Sequence, residues 1–207
     1  MSLILYHHPY SRAATVLWML EELGVDHELR FVDMPAGAHK TPELLALNPM
    51  GKLPILTDGD QVVTEVAAIG LYLADRYALG RLAPKLDDPQ RGTYLRWSLF
   101  APSVIEPGAI AKLNHWEGKP SQVGWGTHEA MLEAIESAIR DRDYLLGDSF
   151  SMADMIFGGT VRYMLRFKML EPRPAIAAYC DRLAARPALQ RAEARNTAIA
   201  NEHGVGR

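Results

Sequence analysis

The sequence predicts an α+β domain followed by an all-helical domain. Strand and helix patterns alternate through residues 1–79, whereas the patterns at residues 89–207 are helical only. Between them, residues 80–88 combine glycine, proline and charged side chains without a clear period, which is typical of a linker. These three observations define the predicted domains and their boundary.

The first domain begins with a strand, a helix and a second strand. An apolar run at residues 2–6 predicts the first strand, and residues 28–32 predict the second. Between them, apolar side chains repeat at helical spacing, with Ser11 placed as the N-cap and Gly24 as the terminating glycine. Short connections in this order predict a right-handed parallel βαβ unit.

A short helix, a hairpin and a third helix complete this domain. Thr41 is placed to cap the short helix, and Pro54 stands at the head of an apolar strand, a position that suits a residue without an N–H. The turn residues 58–60 predict a hairpin with residues 61–64 as the returning strand, and Glu65 opens the next helix. The predicted order is therefore β-α-β-α-β-β-α.

Only helical patterns follow the linker. A long helix at residues 90–115 must be kinked or split at Pro102 and Pro107, because proline removes a helical hydrogen bond. Ser151 and Asp154 form a variant of the capping box at the start of a central helix. Further helices are predicted around residues 131–139 and at residues 174–184 and 187–198.

Composition narrows the classes of function. A net charge of −3 at pH 7 gives no basic footprint for nucleic acid. No apolar run approaches the ~18–20 residues of a membrane span. The single Cys180 excludes an internal disulfide, and His7, His8 and His115 match no metal-ligand spacing. We therefore expect a cytoplasmic protein without a nucleic-acid partner, a membrane partner or a metal.

Four segments together resemble the cytosolic glutathione transferase family, in particular bacterial serine-type members: residues 11–24, 48–54, 64–77 and 147–155. The resemblance covers nearly the whole chain and implies a thioredoxin-like domain followed by a helical domain. It also implies a cis bond before Pro54 and glutathione as co-substrate. The implied activity is detoxifying conjugation of the glutathione thiolate to hydrophobic electrophiles, by a homodimer.

The same resemblance suggests how the thiol is activated. Only the thiolate attacks well, and a hydroxyl donor or a positive charge stabilises it. Ser11 corresponds to the thiol-activating serine of serine-type members, although a role as N-cap alone is the alternative. Tyr6 is the runner-up, because tyrosine-type members carry their hydroxyl near the end of the first strand. Arg12 could add positive charge or be an ordinary solvated side chain.

The glutathione contacts follow from the resemblance in the same way. The backbone of Leu53, beside Pro54, corresponds to the segment that pairs with the peptide, and Glu65 to the residue that binds the γ-Glu ammonium. Glu65 could instead serve only the helix dipole. Val66 replaces the usual Ser or Thr, so it keeps an N–H and loses a hydroxyl. The positions that hold the glycine carboxylate, or alternatively carry solvated charges, are His39, Lys40 and Lys52.

A pocket for the second substrate is expected between the two domains. Its candidate residues, for which a place in the ordinary core is the alternative, are Tyr10, Tyr94, Trp97, Phe100, Val104 and Tyr163. The altered Val66 keeps open a non-catalytic binding protein of the same fold. A glutathione-dependent peroxidase, dehalogenase or isomerase is also compatible with the sequence, because fold alone does not fix the reaction.

Overall fold

A computed structural model describes residues 3–206 of the 207-residue chain. These residues form two compact units. The first unit comprises residues 3–72 and 186–206, and the second unit comprises residues 73–185. In the described residues, no helix combines the length and the apolar character that crossing a membrane requires.

The secondary-structure elements follow the predicted order. The strands are β1 (Leu3–His7), β2 (His27–Phe31), β3 (Ile55–Asp58) and β4 (Gln61–Thr64). The helices are α1 (Ala13–Leu23), α2 (Pro42–Leu47), α3 (Val66–Tyr77), α4 (Arg91–Phe100), α5 (Glu106–Leu113), α6 (His128–Ile139), α7 (Met152–Arg166), α8 (Pro174–Ala184) and α9 (Pro187–Glu202). The predicted start of the first strand at Ser2 lies outside the described residues.

The four strands form one sheet in the order β2-β1-β3-β4. The strands β1 and β2 are parallel, which confirms the predicted βαβ unit, and β3 is antiparallel to both β1 and β4. Along β1, Leu3, Leu5 and His7 are buried while the intervening residues are partly exposed. This alternation places one face of the strand in the core of the first unit.

The helix ends match the sequence patterns with two differences. Gly24 ends α1 in the left-handed conformation at φ 68°, as predicted for a terminal glycine. Ser11, however, is not the N-cap, since Arg12 occupies that position and the helix begins at Ala13. Thr41 is the N-cap of α2, but its side chain makes no capping hydrogen bond. The sequence therefore identified the polar residue near the start of each of these two helices. It did not predict correctly how that residue contributes to the helix end.

The second unit contains the predicted break in the long helix. A π-helical turn at Ala101–Ile105 separates α4 from α5, with Pro102 inside it and Pro107 in the first turn of α5. The predicted capping box at the start of α7 is also present. Besides the Ser151 N–H and hydroxyl, the Asp154 carboxylate accepts hydrogen bonds from the Leu145 N–H at 2.8 Å and the Tyr179 hydroxyl at 2.9 Å.

The last helix, α9, packs against α1 and therefore belongs to the first unit. Two acidic residues of α1 hold it: Glu22 pairs with Arg186, and Glu21 pairs with both Arg191 and Arg195. The sequence assigned residues 186–206 to the helical domain on chain order alone. The structure instead joins this helix to the sheet-containing unit through side chains far apart in sequence.

Candidate functional site

Three strand ends meet at one edge of the sheet in the first unit. Ile55, the first residue of β3, pairs with Tyr6 near the end of β1 and with Thr64 at the end of β4. The segments that follow β1 and β4, and the segment that precedes β3, therefore start from the same edge. We call this region the site edge; it consists of residues 8–12, 53–54 and 65–66.

Leu53 and Pro54 form the middle of the site edge. The peptide bond between them is cis, as the sequence resemblance implied. The Leu53 side chain is buried, and in residues 3–206 neither its N–H nor its C=O makes a backbone hydrogen bond. These two groups are available to pair with an extended ligand in the manner of an added strand.

Asn48 closes the loop that leads to this segment. Its side-chain amide donates to the Lys52 carbonyl at 2.9 Å, and its side-chain oxygen accepts from the Met50 N–H at 3.1 Å. Asn48 is only 4% exposed, so these bonds are shielded from water. Sequence reasoning gave Asn48 no role, although an Asn-Pro pair at a turn is a recognisable signal for such a loop.

The third part of the site edge is the start of α3. Glu65 is exposed and has a left-handed backbone, with φ 67°, which costs a residue other than glycine about 1–2 kcal/mol. Its carbonyl accepts the Ile69 N–H, while the N–H groups of Val66, Ala67 and Ala68 have no acceptor among residues 3–206. The positive end of the helix dipole therefore meets the sheet edge with unused donors.

Ser11 lies in the tight turn between β1 and α1 and is 7% exposed. Its hydroxyl donates to the His8 carbonyl at 2.9 Å and accepts from the Ala13 N–H at 3.1 Å. The Ser11 N–H also bonds the His8 carbonyl, at 3.0 Å. The hydroxyl thus closes the turn and supports the first turn of α1, so its proton already has an acceptor within the protein.

The other residues considered for thiol activation have different surroundings. The Tyr10 N–H donates to Nδ1 of His8, and the two rings lie 6.1 Å apart. Arg12 is half-buried at the start of α1. The Tyr6 hydroxyl accepts from Arg30 at 3.2 Å, on the partly exposed face of the sheet. A residue outside the site edge therefore already engages the hydroxyl of Tyr6.

The three candidates for binding a carboxylate lie on two neighbouring segments. Lys40 and Lys52 are exposed, and His39 is half-buried in a short 3₁₀ turn. A Cβ at Gly51 would lie 3.4 Å from both the His39 carbonyl oxygen and Cγ of Lys40. The loop that carries Lys52 therefore lies directly against the segment that carries the other two residues.

Two buried histidines lie at the end of β1. His7 is fully buried, and this burial lowers the pKa of its imidazole from 6.5 to about 4. Burial also lowers the pKa of His8, against the opposing effect of Asp33. Both rings are therefore neutral at neutral pH. Residues 3–206 contain no cluster of three or more His, Cys, Asp or Glu side chains that could hold a metal ion.

The residues predicted to line a second-substrate pocket are divided between the units, with Tyr10 in the first and the others in the second. Tyr94 and Trp97 are buried in the core of the second unit, where Trp97 packs edge-on against Phe100. Val104 and Tyr163 are half-buried, and the Tyr163 ring lies 4.6 Å from that of Phe167. A pocket formed by these residues together stays a prediction.

Two family models match this sequence. The model described as "Glutathione S-transferase, N-terminal domain" matches residues 1–75, and the model described as "Glutathione S-transferase, C-terminal domain" matches residues 122–182. Together, the two matches cover more than half of the chain.

Individual glutathione transferases are similar to this chain over nearly its full length. A glutathione S-transferase of Hyoscyamus muticus is 31% identical over 192 residues, which cover 86% of this chain and 90% of the relative. A solved glutathione transferase from Methylococcus capsulatus str. Bath is 30% identical, with a TM-score of 0.79 and coverage of 94% and 98%. Another from Phanerochaete chrysosporium, in complex with oxidized glutathione, is 28% identical, with a TM-score of 0.79 and coverage of 96% and 97%.

Proposed function

The chain belongs to the glutathione S-transferase family and is a glutathione transferase, and we propose that the site edge of its first unit binds and activates glutathione. The predicted combination of a thioredoxin-like domain and a helical domain is confirmed by the sheet topology and the related structures. The observation that carries the proposal is the meeting of three segments at one sheet edge: the Ser11 turn, the unpaired backbone of Leu53, and the strained, open start of α3 at Glu65.

Glutathione is an extended peptide with charged groups at both ends, and each end has a counterpart at the site edge. The Leu53 N–H and C=O would pair with its cysteine backbone, as in strand addition. The open first turn of α3, which begins at Val66, would hold the γ-Glu carboxylate, because such N–H groups and the helix dipole favour an anion. The exposed Glu65 would pair with the adjacent ammonium group.

At the other end of the peptide, the glycine carboxylate requires positive charge. Lys40 and Lys52 are exposed on adjoining segments, beside the half-buried His39. Because exposed ion pairs contribute at most about 1 kcal/mol, we propose that these residues orient glutathione more than they determine its affinity.

Ser11 is the proposed donor to the thiolate. Its hydroxyl would exchange a neutral bond to the His8 carbonyl, worth about 0.5–1.5 kcal/mol, for a bond to a charged sulfur, worth about 1.5–3 kcal/mol. The Ala13 N–H would continue to donate to the hydroxyl oxygen and so strengthen it as a donor. The start of α1 adds the positive end of a helix dipole.

For the second substrate we propose a hydrophobic electrophile, to which the thiolate adds in a detoxifying conjugation. Support comes from the half-buried apolar side chains of Phe100, Val104 and Tyr163 in the second unit. We also propose a homodimer and a cytoplasmic location. The location is supported by the free, buried Cys180, and the assembly can be tested by sedimentation analysis.

A non-catalytic binding protein is the second candidate, and the observation in its favour is Val66. Its N–H remains without an acceptor in the described residues, so the missing hydroxyl removes one donor from this helix start and leaves the backbone donors. The remaining donors support glutathione binding in both candidates, and turnover decides between them. Retention on immobilised glutathione without turnover of any electrophile would select the alternative.

The proposal is tested by glutathione titration and by conjugation of a model aryl halide. We expect saturable binding, turnover above the uncatalysed rate, and a loss of about tenfold in kcat/KM for Ser11→Ala, equivalent to one charge-assisted hydrogen bond. Ser137→Ala, an exposed serine on α6, is the matched control. Absence of both binding and turnover would overturn the proposal, whereas unchanged turnover in Ser11→Ala would overturn only the role of Ser11.

A further inference from the structure

The last helix reaches the turn that carries Ser11. The Asn196 side-chain amide, on α9, donates to the Pro9 carbonyl at 3.0 Å across 187 residues of sequence. Asn196 is 8% exposed and lies beside the buried His7 ring at the end of β1. Immediately after α9, the His203 ring stacks on Phe31 at 3.7 Å. Asn196 of α9 therefore contacts the turn that follows β1, and His203 just after α9 contacts the end of the neighbouring strand β2.

Asparagine is a poor residue for the interior of a helix, so its place in α9 calls for a reason outside the helix. The Pro9 carbonyl supplies one. In the described residues this carbonyl makes no backbone hydrogen bond, and a buried carbonyl without a donor costs about 1–3 kcal/mol. The amide of Asn196 satisfies it from the far end of the chain.

The hydrogen bond from Asn196 matters because Pro9 lies in the turn that carries Ser11. Both the N–H and the hydroxyl of Ser11 bond the His8 carbonyl, which closes the turn from His8 to Ser11 with Pro9 and Tyr10 at its apex. The bonds to His8 fix the two ends of the turn relative to each other. The bond from Asn196 fixes the apex relative to the rest of the first unit.

We propose that Asn196 is a positioning residue for thiol activation: it fixes the Pro9 apex of the His8–Ser11 turn and thereby the direction of the Ser11 hydroxyl. Asn196 itself touches neither glutathione nor the thiol. The catalytic part of this inference rests on the function proposed above for Ser11, whereas the positional part does not.

The positional part is tested by amide hydrogen exchange in the full chain, read by NMR. In Asn196→Ala we expect faster exchange at the N–H groups of Ser11 and Ala13, by about 3–10-fold, since one hydrogen bond that restrains the turn is lost. Asn201→Ala, an exposed asparagine on the same helix, is the matched control and should leave both rates unchanged. Asn196→Leu restores most of the lost volume without a donor, so it separates loss of the hydrogen bond from loss of packing.

The catalytic part is tested by kinetics with glutathione and a model aryl halide. We expect kcat to fall about 3–10-fold in Asn196→Ala, with KM for glutathione within about twofold, because Leu53 and Glu65 bind from other segments. If Asn196 acts through Ser11, the double variant Ser11→Ala/Asn196→Ala should be no slower than Ser11→Ala. The pH at which kcat/KM is half-maximal should rise in Asn196→Ala as it does in Ser11→Ala.

Several results would overturn the inference. Exchange at Ser11 and Ala13 that matches the Asn201→Ala control would show that Asn196 does not hold the turn. Losses that multiply in the double variant would show that Asn196 acts independently of Ser11. Unchanged turnover in Ser11→Ala would refute the proposed role of Ser11 and with it the catalytic part, while the exchange rates would still decide the positional part.

Discussion

Helices α3 and α7 begin in opposite ways. At the start of α7, Asp154 is fully buried and accepts hydrogen bonds from Ser151, Leu145 and Tyr179. At the start of α3, Glu65 is exposed with a left-handed backbone, and no side chain in residues 3–206 caps the first turn.

The contrast separates stability from binding. A helix start that is satisfied from within stabilises its unit and has no donors left for a ligand. A helix start with free N–H groups and a strained backbone contributes less to stability, but its N–H groups remain available to bind an anion. We therefore expect substitutions at α7 to change unfolding, and substitutions at the site edge to change glutathione binding more than stability.

The largest of the expected effects is the loss of stability in Asp154→Ala. Removing the carboxylate leaves the Leu145 N–H and the Tyr179 hydroxyl buried without an acceptor, which should lower the free energy of unfolding by about 3–5 kcal/mol. Urea denaturation measures it. The control Asp148→Ala, at an exposed position nearby, should change stability by less than about 0.5 kcal/mol. Equal effects of the two substitutions would contradict the assigned role of Asp154.

The next largest effect is a dependence of stability on pH, caused by the buried His7 at the end of β1. The pKa of its imidazole is about 4 in the folded protein and 6.5 in the unfolded chain, so below pH 6.5 the unfolded chain binds a proton that the folded chain does not. This contribution to stability is complete above pH 6.5 and lost as the pH falls towards 4, by about 3 kcal/mol in total.

Matched variants isolate this pH dependence. Denaturation midpoints of His7→Gln should vary less between pH 6.5 and 4 than those of the wild-type protein. His115→Gln, at an exposed histidine, should keep the wild-type slope. The comparison uses the change of the midpoint with pH and not its absolute value, because a buried glutamine itself lowers stability. A wild-type slope in His7→Gln would show that another group causes the acid sensitivity.

A smaller effect is expected at Glu65, where strain and binding coincide. Glu65→Gly should raise the free energy of unfolding by about 0.5–1 kcal/mol, because glycine tolerates positive φ, and should weaken glutathione binding about tenfold. Glu65→Gln should weaken binding without the gain in stability. Lys168→Gly, at φ 57° in the second unit, should add stability and leave binding unchanged. Undiminished binding in both Glu65 variants would remove this residue from the site.

The smallest effect is expected from Val66→Thr, which adds a hydroxyl to the open start of α3 at nearly constant shape. A further hydrogen bond of about 0.5–1 kcal/mol should tighten the Kd for glutathione about 2–5-fold. Val66→Ala, which changes the side chain without adding a donor, is the comparison. Calorimetric titration distinguishes the two, and equal Kd values would mean that the hydroxyl cannot reach the ligand.

Local signals in the sequence predicted most of the fold. The capping box at Ser151, the break at Pro102 and the hairpin turn depend on neighbours within a few residues, so their patterns are visible in the sequence. The helix predicted at residues 174–184 has the bounds of α8. The family resemblance is confirmed, while its bacterial subclass stays a prediction, since the relatives include the protein of Hyoscyamus muticus.

The features that were not predicted depend on contacts between distant residues. Nothing near Asn196 indicates that its amide serves Pro9, and nothing in α9 distinguishes it from the other C-terminal helices. The positive φ of Glu65 was also unforeseen, because a glutamate at a helix start ordinarily indicates only a favourable charge. The site residues named from the resemblance stay predictions until glutathione binding is measured.

The attachment of α9 to the first unit has a consequence for biosynthesis. The second unit is one continuous stretch of chain, so all of it is synthesised before residues 186–206. The first unit, although it contains the earliest residues, can pair Glu21 and Glu22 with their arginines only after the last helix emerges. Domains generally fold as units during synthesis, beginning at the N-terminus. The first unit therefore begins to be synthesised before the second unit, but it can complete its fold only after the second unit has been made.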